Sequence, residues 1–110
     1  MKRTTVHAYL SGDEMTDEIS TVINLEPLEA AKNYLSGIIV RGHELANGQW
    51  HEYKMRCTHV RTDGVQEWDD QQWNDITDRE PYSVGTWKTD GHGKYFHTAP
   101  YNAGGKVTVF

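Results

Sequence analysis

Apolar and polar residues alternate in two segments near the N-terminus, residues 4–10 and residues 19–25. A period of two places every second side chain on the same side, which is typical of a strand with one buried face. The stretch between the two segments, residues 11–18, is polar and rich in acids. The pattern predicts a β-hairpin in which residues 11–18 form a long acidic loop at the tip.

The spacing of apolar residues changes after Pro27, where Leu28, Ala31 and Leu35 recur at intervals of three and four. This period predicts a short amphipathic helix. Proline suits the first turn of a helix because the N–H that it lacks has no partner there. Gly37 follows at a position where the helix is expected to end. We expect this helix to cover one face of a sheet.

The remaining residues predict further strands separated by tight turns. Asn47-Gly48 and Asp63-Gly64 are both typical of two-residue turns, in which the central positions need positive φ. β-Branched and alternating patterns around these turns and in the C-terminal part predict the strands. The expected strands are residues 38–40, 50–61, 65–68, 83–89, 94–97 and 106–110.

Residues 69–76 are predicted to form a helical turn capped by Asp69 or Asp70, because short acidic side chains bond backbone N–H groups at helix starts. The order of elements then predicts an α+β fold. It consists of an antiparallel β-sheet with one main amphipathic helix packed on one face, and its C-terminal half is rich in strands. We expect the 110 residues to form a single domain, residues 1–110.

Composition narrows the class of protein further. Cys57 is the single cysteine, so an internal disulfide is excluded. No N-terminal stretch has the pattern of a signal peptide, and no apolar run reaches membrane-spanning length. We therefore expect a soluble, cytoplasmic protein without a membrane partner. The formal net charge of −5 makes direct nucleic-acid binding the less favoured option, because phosphates repel an acidic surface.

Negative charge is concentrated in residues 67–80, which read EWDDQQWNDITDRE and are called here the acidic-aromatic segment. Six acids against one cation, Arg79, give the segment a charge of −5, equal to that of the whole chain. Exposed carboxylates beside large rings suit contact with a basic surface. The predicted partner-binding residues are Glu67, Trp68, Asp69, Asp70, Trp73, Asp75, Asp78 and Glu80. The alternative is a solvated loop whose tryptophans fill the edge of the core.

A second candidate surface lies on the long predicted strand. Lys54 and Arg56 share a face with Trp50, and in the simplest hairpin register Arg41 and His43 lie opposite them. A ring flanked by cations can stack a base and hold phosphates. The alternative nucleic-acid-binding residues are therefore Arg41, Trp50, Lys54 and Arg56, and the alternative function is that of a small RNA-binding module.

No pattern in the chain carries a catalytic or metal-binding signature. The six histidines lack the Cys-x-x-Cys partner of a zinc finger, and Glu52-x-Lys54 matches only half of a nuclease motif. Cys57 shares a predicted strand face with Met55, where a buried structural thiol is expected. We predict no catalytic residue, no metal ligand and no cofactor, and a protein that is not an enzyme.

In length, acidity, α+β pattern and lack of catalytic motifs, the chain resembles small phage-encoded anti-defence proteins such as the anti-CRISPRs. Nuclease-toxin immunity proteins are similar in the same respects. Size and charge alone carry the resemblance, so no functional residue is transferred. The resemblance implies an inhibitor that docks its acidic surface on a basic, nucleic-acid-binding protein, either alone or within a nucleoprotein complex. A phage-encoded protein of this kind acts in the cytoplasm of a bacterial host cell.

Overall fold

One strand of twenty residues runs through the middle of the sheet. The computed structural model describes residues 1–12, 14–79, 84–98 and 107–110. Its elements are β1 (Lys2–Gly12), β2 (Met15–Ile23), α1 (Pro27–Leu35), β3 (Ile38–Ala46), β4 (Gln49–Trp68), β5 (Trp73–Asp75), a 3₁₀ turn (Thr77–Arg79), β6 (Val84–Thr89), β7 (Tyr95–Thr98) and β8 (Val107–Val109). The fold is a mostly antiparallel β-sheet with one short helix. In the part of the chain that the structure describes, no helix has the length and apolar character needed to cross a membrane.

The long strand β4 is paired on both of its edges. β1 runs antiparallel along one edge, opposite residues 56–67. On the other edge β3, β6 and β5 follow one another, opposite residues 49–56, 59–63 and 66–68. The sheet order is β2-β1-β4-β6-β7-β8, with β3 and β5 also paired to β4. The first residues of β4 therefore extend past the pairing with β1 and form a hairpin with β3 alone.

The core combines alternate residues of the strands with one side of α1. Pro27, Ala30, Ala31 and Leu35 of the helix are buried. The buried cluster consists of Val6, Ala8, Leu10, Ala30, Ala31, Leu35, Met55, Cys57, Val60 and Trp87. Trp87 is fully buried, and its Nε1 donates a hydrogen bond to Thr62 Oγ1 at 3.0 Å. The polar atom of this large ring is thereby satisfied inside the core.

Several local predictions are confirmed. α1 begins at Pro27, and β6, β7 and β8 overlap the three strands expected in the C-terminal part. The turn at Asn47-Gly48 joins β3 to β4, with φ values of 53° and 77° at its two residues. Asn and Gly adopt positive φ most readily, so the local signal is sufficient here.

The tight turn predicted at Asp63-Gly64 is wrong, because β4 continues through this dipeptide without reversing. β1 pairs with β4 on both sides of it, and the register shifts by one residue between Thr4 and Val6. Asp63 and Gly64 therefore form a β-bulge, in which two residues face one. A reversal here would remove the pairing of β4 with both β1 and β6, so the tertiary hydrogen bonds outweigh the local turn preference.

The long acidic loop predicted at residues 11–18 is also wrong. β1 extends to Gly12 and β2 begins at Met15, and these two residues pair with each other. Asp17 and Glu18 therefore belong to β2. Strand pairing uses backbone groups, and residues 15–18 of this edge strand are exposed, so their polar side chains remain in water.

The helical turn predicted for residues 69–76 is wrong as well. Asp69 N–H donates to the Gln72 carbonyl at 3.1 Å, which closes a tight turn, and the chain then continues as β5. β5 pairs with the end of β4 so that Trp73 lies opposite Trp68. Packing of the two rings and the added strand pairing favour the extended conformation over a helix.

Candidate protein-binding surface

The acidic-aromatic segment begins at the end of β4 and is shaped by local hydrogen bonds. The Asp69 carboxylate accepts bonds from the backbone N–H groups of Gln71 at 3.1 Å and Gln72 at 2.9 Å. It also accepts a bond from Asn74 Nδ2 at 2.7 Å. Asp69 thus has the capping chemistry that the sequence predicts, although it stabilises a strand-to-strand turn rather than a helix.

Asp75 has the same role in the next turn. Its carboxylate accepts hydrogen bonds from the Thr77 backbone N–H at 2.9 Å and from the Thr77 hydroxyl. The Asn74 amide and the turn N–H groups lower the pKa of Asp69 below the ordinary value of 3.8, and the Thr77 hydroxyl and N–H lower the pKa of Asp75 in the same way. Both carboxylates are therefore ionised at neutral pH.

The described carboxylates of the segment are exposed, although cations lie nearby: Lys2 is opposite Glu67 in the strand register. Exposed carboxylates are found at Glu67, Asp69, Asp70 and Asp75. Among the side chains that the structure describes, none of these four forms a salt bridge. Arg79 is near enough to contribute to the lowered pKa of Asp75, without an ion pair. The Asp78 side chain and Glu80 lie outside the described part.

The two tryptophans of the segment pack against each other, with ring centroids 5.5 Å apart. Trp68 is 41% exposed, whereas Trp73 is half-buried. The Arg3 guanidinium lies over the Trp73 ring, 4.1 Å from its centroid, and Arg3 Nε donates to Gln66 Oε1 at 2.6 Å. Trp68 is therefore the ring available to a partner, while Trp73 is held inside the turn by Trp68 and Arg3.

A pocket of about 250 Å³ opens beside the exposed ring. Its lining residues are Glu67, Trp68, Asp69, Asn74, Ile76 and Arg79. Its walls therefore combine two carboxylates and an indole with the cationic side chain of Arg79.

The alternative nucleic-acid-binding residues are only partly brought together. Trp50 is 72% exposed and shares a face of β4 with Lys54 and Arg56, as the alternation predicts. Arg41 does not lie opposite them, because a bulge between Val40 and Gly42 shifts the hairpin register. Its guanidinium instead bonds Asp17 Oδ2 of β2, with Nε at 3.1 Å. The simplest register predicted for this hairpin is therefore wrong beyond Gly42.

The face that carries Trp50 also exposes apolar residues that the sequence pattern does not single out. Ile38, Val40 and Leu45 of β3 lie opposite residues of this face, and all three are exposed. We call the hairpin face the surface formed by Ile38, Val40, His43, Leu45, Trp50, Glu52, Lys54 and Arg56. Alternation along a strand distinguishes its two faces, but it does not show which of them another element covers.

A histidine-centred cluster connects three strands on the side of the sheet opposite the core. His7 Nε2 lies 2.6 Å from Asp63 Oδ2 of β4, and His7 Nδ1 lies 2.8 Å from Ser20 Oγ of β2. Glu18 is 3.4 Å from the same Nδ1. Each ring nitrogen thus contacts a neighbouring strand, so the cluster links β2, β1 and β4.

The single cysteine is buried, as its strand face predicts. Burial raises the pKa of the Cys57 thiol to about 11, and Sγ lies 3.4 Å from the His59 carbonyl, to which it donates a hydrogen bond. The thiol is therefore protonated at neutral pH and is a weak nucleophile. Within the described residues, no three His, Cys, Asp or Glu side chains are grouped so that they could hold a metal ion.

The structure thus presents two exposed surfaces, the acidic-aromatic segment and the hairpin face, at opposite ends of β4. The molecule is elongated, with a longest axis of 53 Å. No protein-family model, curated protein or solved structure matches the chain. The chemistry of these surfaces is therefore what bears on function.

Proposed function

We propose that the chain is a non-enzymatic inhibitor that binds a basic, nucleic-acid-binding protein through the acidic-aromatic segment. The observation that carries the proposal is the set of exposed carboxylates at Glu67, Asp69, Asp70 and Asp75, which have no described ion pair. Charge of one sign on a small surface accelerates association with a surface of the opposite sign. Asp69 and Asp75 also cap turns, but Glu67 and Asp70 cap no backbone group, so their charge contributes little to stability and a role in recognition accounts for it better.

The proposed mechanism is competition with nucleic acid. Carboxylates spaced along a turn and a strand take the positions that phosphates occupy in a basic groove, and lysine and arginine side chains of the partner contact them instead. Trp68 anchors the complex, because a half-exposed indole buries a large area at little entropic cost. A phage anti-defence protein and a nuclease-toxin immunity protein would both work in this way. The identity of the bound partner distinguishes them.

The test removes charge without removing the turn. Glu67→Gln with Asp70→Asn changes two carboxylates that cap no backbone group, and Asn tolerates the φ of 80° at residue 70. The protein is immobilised and exposed to a lysate of its source organism, and retained proteins are identified. We expect nucleic-acid-binding proteins that are released by salt and displaced by added DNA. We expect the double variant to bind them at least about tenfold more weakly, chiefly through slower association.

The matched control is Glu14→Gln with Glu29→Gln, which also removes two exposed acids but leaves the acidic-aromatic segment unchanged. This control should retain the partner as the unchanged protein does. The proposal fails if both double variants lose binding equally, since net charge alone would then explain the interaction. It also fails if the retained proteins are indifferent to DNA.

A further inference from the structure

The hairpin face carries four large apolar side chains that are exposed to solvent. Ile38 is 60% exposed, Val40 48%, Leu45 56% and Trp50 72%. All four lie on one face, because Leu45 pairs with Trp50 while Ile38 and Val40 pair with two other residues of the same β4 face. Clustered apolar exposure of this kind marks an interaction site in soluble proteins.

The charged residues of this face form a self-complementary pattern. From the turn towards the body, β4 presents Trp50, Glu52, Lys54 and Arg56. A second copy of this series can be placed over the first in the opposite direction. Trp50 of each copy then faces Arg56 of the other copy, and Glu52 of each copy faces Lys54 of the other. Cation–π and ion-pair contacts would thus each form twice across a twofold axis.

We propose that two copies of the chain pack through their hairpin faces, with the strands of one copy antiparallel to those of the other. β3 then lies over β3 of the second copy, so that Leu45 contacts Ile38 and His43 contacts Val40. Facing sheets pack about 10 Å apart, which allows side chains of both faces to interdigitate. A parallel arrangement would instead place Lys54 over Val40 and Arg56 over Ile38, which leaves both of these cations without partners.

A second copy fits this face better than a nucleic acid does. Glu52 lies between Trp50 and Lys54, 3.7 Å from the Lys54 ammonium and 3.2 Å from His43, so a carboxylate occupies the centre of the surface. A phosphate backbone would approach this carboxylate at a cost, and would leave the apolar residues of β3 unused. In the proposed dimer the same carboxylate faces the second copy's Lys54.

The interface is small, so the dimer should be weak and dependent on concentration. Each copy contributes the eight side chains of the hairpin face, whereas a standard interface uses about 20–30 residues a side. Sedimentation velocity should show a monomer in dilute solution and a dimer as the concentration approaches about 1 mM.

The decisive test uses charge reversal. Glu52→Lys brings two ammonium groups together at each of the two ion-pair positions of the dimer, and Lys54→Glu brings two carboxylates together there. We expect each single variant to dimerise at least about tenfold more weakly than the unchanged protein. An equimolar mixture of the two variants should dimerise at least as well as the unchanged protein, because every contact then joins opposite charges. The double variant, Glu52→Lys with Lys54→Glu, should also recover dimerisation.

Recovery in the mixture separates this proposal from the alternatives. Both positions are exposed, so each single variant should keep its circular dichroism spectrum, and in dilute solution its unfolding free energy should fall by no more than about 1 kcal/mol. The proposal is overturned if the unchanged protein stays monomeric throughout the concentration range, or if the mixture behaves as its components do. A gel shift with labelled single-stranded RNA that is abolished by Lys54→Glu, together with a monomer at all concentrations, would assign the face to RNA instead.

Discussion

The two ends of β4 both carry an exposed tryptophan, but in different surroundings. At one end Trp68 packs against Trp73, and the adjoining turn is held by three hydrogen bonds to the Asp69 carboxylate. At the other end Trp50 is 72% exposed and lies opposite Leu45 across the hairpin. The first end is ordered by its own side chains, whereas the second presents apolar surface that no described element covers.

Under the two proposals made above, this difference corresponds to two kinds of recognition surface. Turn hydrogen bonds hold Asp69 and Asp75 in place and lower their pKa values without a partner, which fits the fast, salt-sensitive association proposed for the acidic end. The hairpin end leaves apolar side chains in water, which fits the proposed association driven by the hydrophobic effect. Three experiments test whether the two ends of β4 behave independently of each other.

The largest expected effect comes from Gly12→Ala. A Cβ at this position would overlap the Lys54 carbonyl and lie 3.1 Å from Met55 Cα, and both of these are backbone atoms that cannot rotate away. We expect a loss of about 1–3 kcal/mol in the free energy of unfolding, as for other overpacked sites. Hydrogen exchange should accelerate in the hairpin near residues 54–56 and remain unchanged at residues 66–68. Equal acceleration at both ends would show that they are coupled.

A smaller change in unfolding free energy should distinguish Trp68 from Trp50. Trp68→Ala removes a ring pair, and we expect it to cost about 1 kcal/mol of unfolding free energy. Trp50→Ala should change stability by less than about 0.5 kcal/mol, because this ring is mostly in water. Urea unfolding of dilute protein measures both. Equal costs for the two variants would mean that Trp50 is packed in solution.

The smallest effect concerns pH and the acidic end. The pKa values of Asp69 and Asp75 are lowered in the folded state, so their stabilising contribution is present above pH 3.8 and is lost as the pH falls through the folded values. Carboxyl NMR titration should give midpoints below 3.8 for both. Asn74→Ala removes the largest cause for Asp69 and should raise that midpoint while leaving the midpoint of Asp75 unchanged. A midpoint for Asp69 at or above 3.8 in the unchanged protein would contradict the turn geometry.

Two similar dipeptides show how far local sequence predicts this fold. Asn47-Gly48 forms the predicted turn, with both residues at positive φ. Asp63-Gly64 carries nearly the same signal but lies inside β4 as a bulge. The difference is that β4 around Asp63 is paired on both edges, so a reversal there would break two ladders. Pairing between distant segments is invisible to a pattern confined to a few residues.

The candidate site is predictable to a similar extent. The run of acids identifies the acidic-aromatic segment, and the short side chain of Asp69 identifies a capping residue. The element that it caps is not predictable, because β5 exists only through its pairing with the end of β4. The exposure of the hairpin face cannot be predicted from the sequence, because it depends on whether another element of the fold covers this face.

Alternation, helical spacing and one turn dipeptide determined the faces of β1, the start of α1 and the reversal between β3 and β4. These features depend on residues adjacent in sequence, whose steric and hydrogen-bonding preferences act in any context. Tertiary structure decided the bulges in β4, the register of Arg41 and the exposure of the hairpin face. Those features depend on hydrogen bonds and burial between segments far apart in the chain, and their free energy exceeds the local preferences.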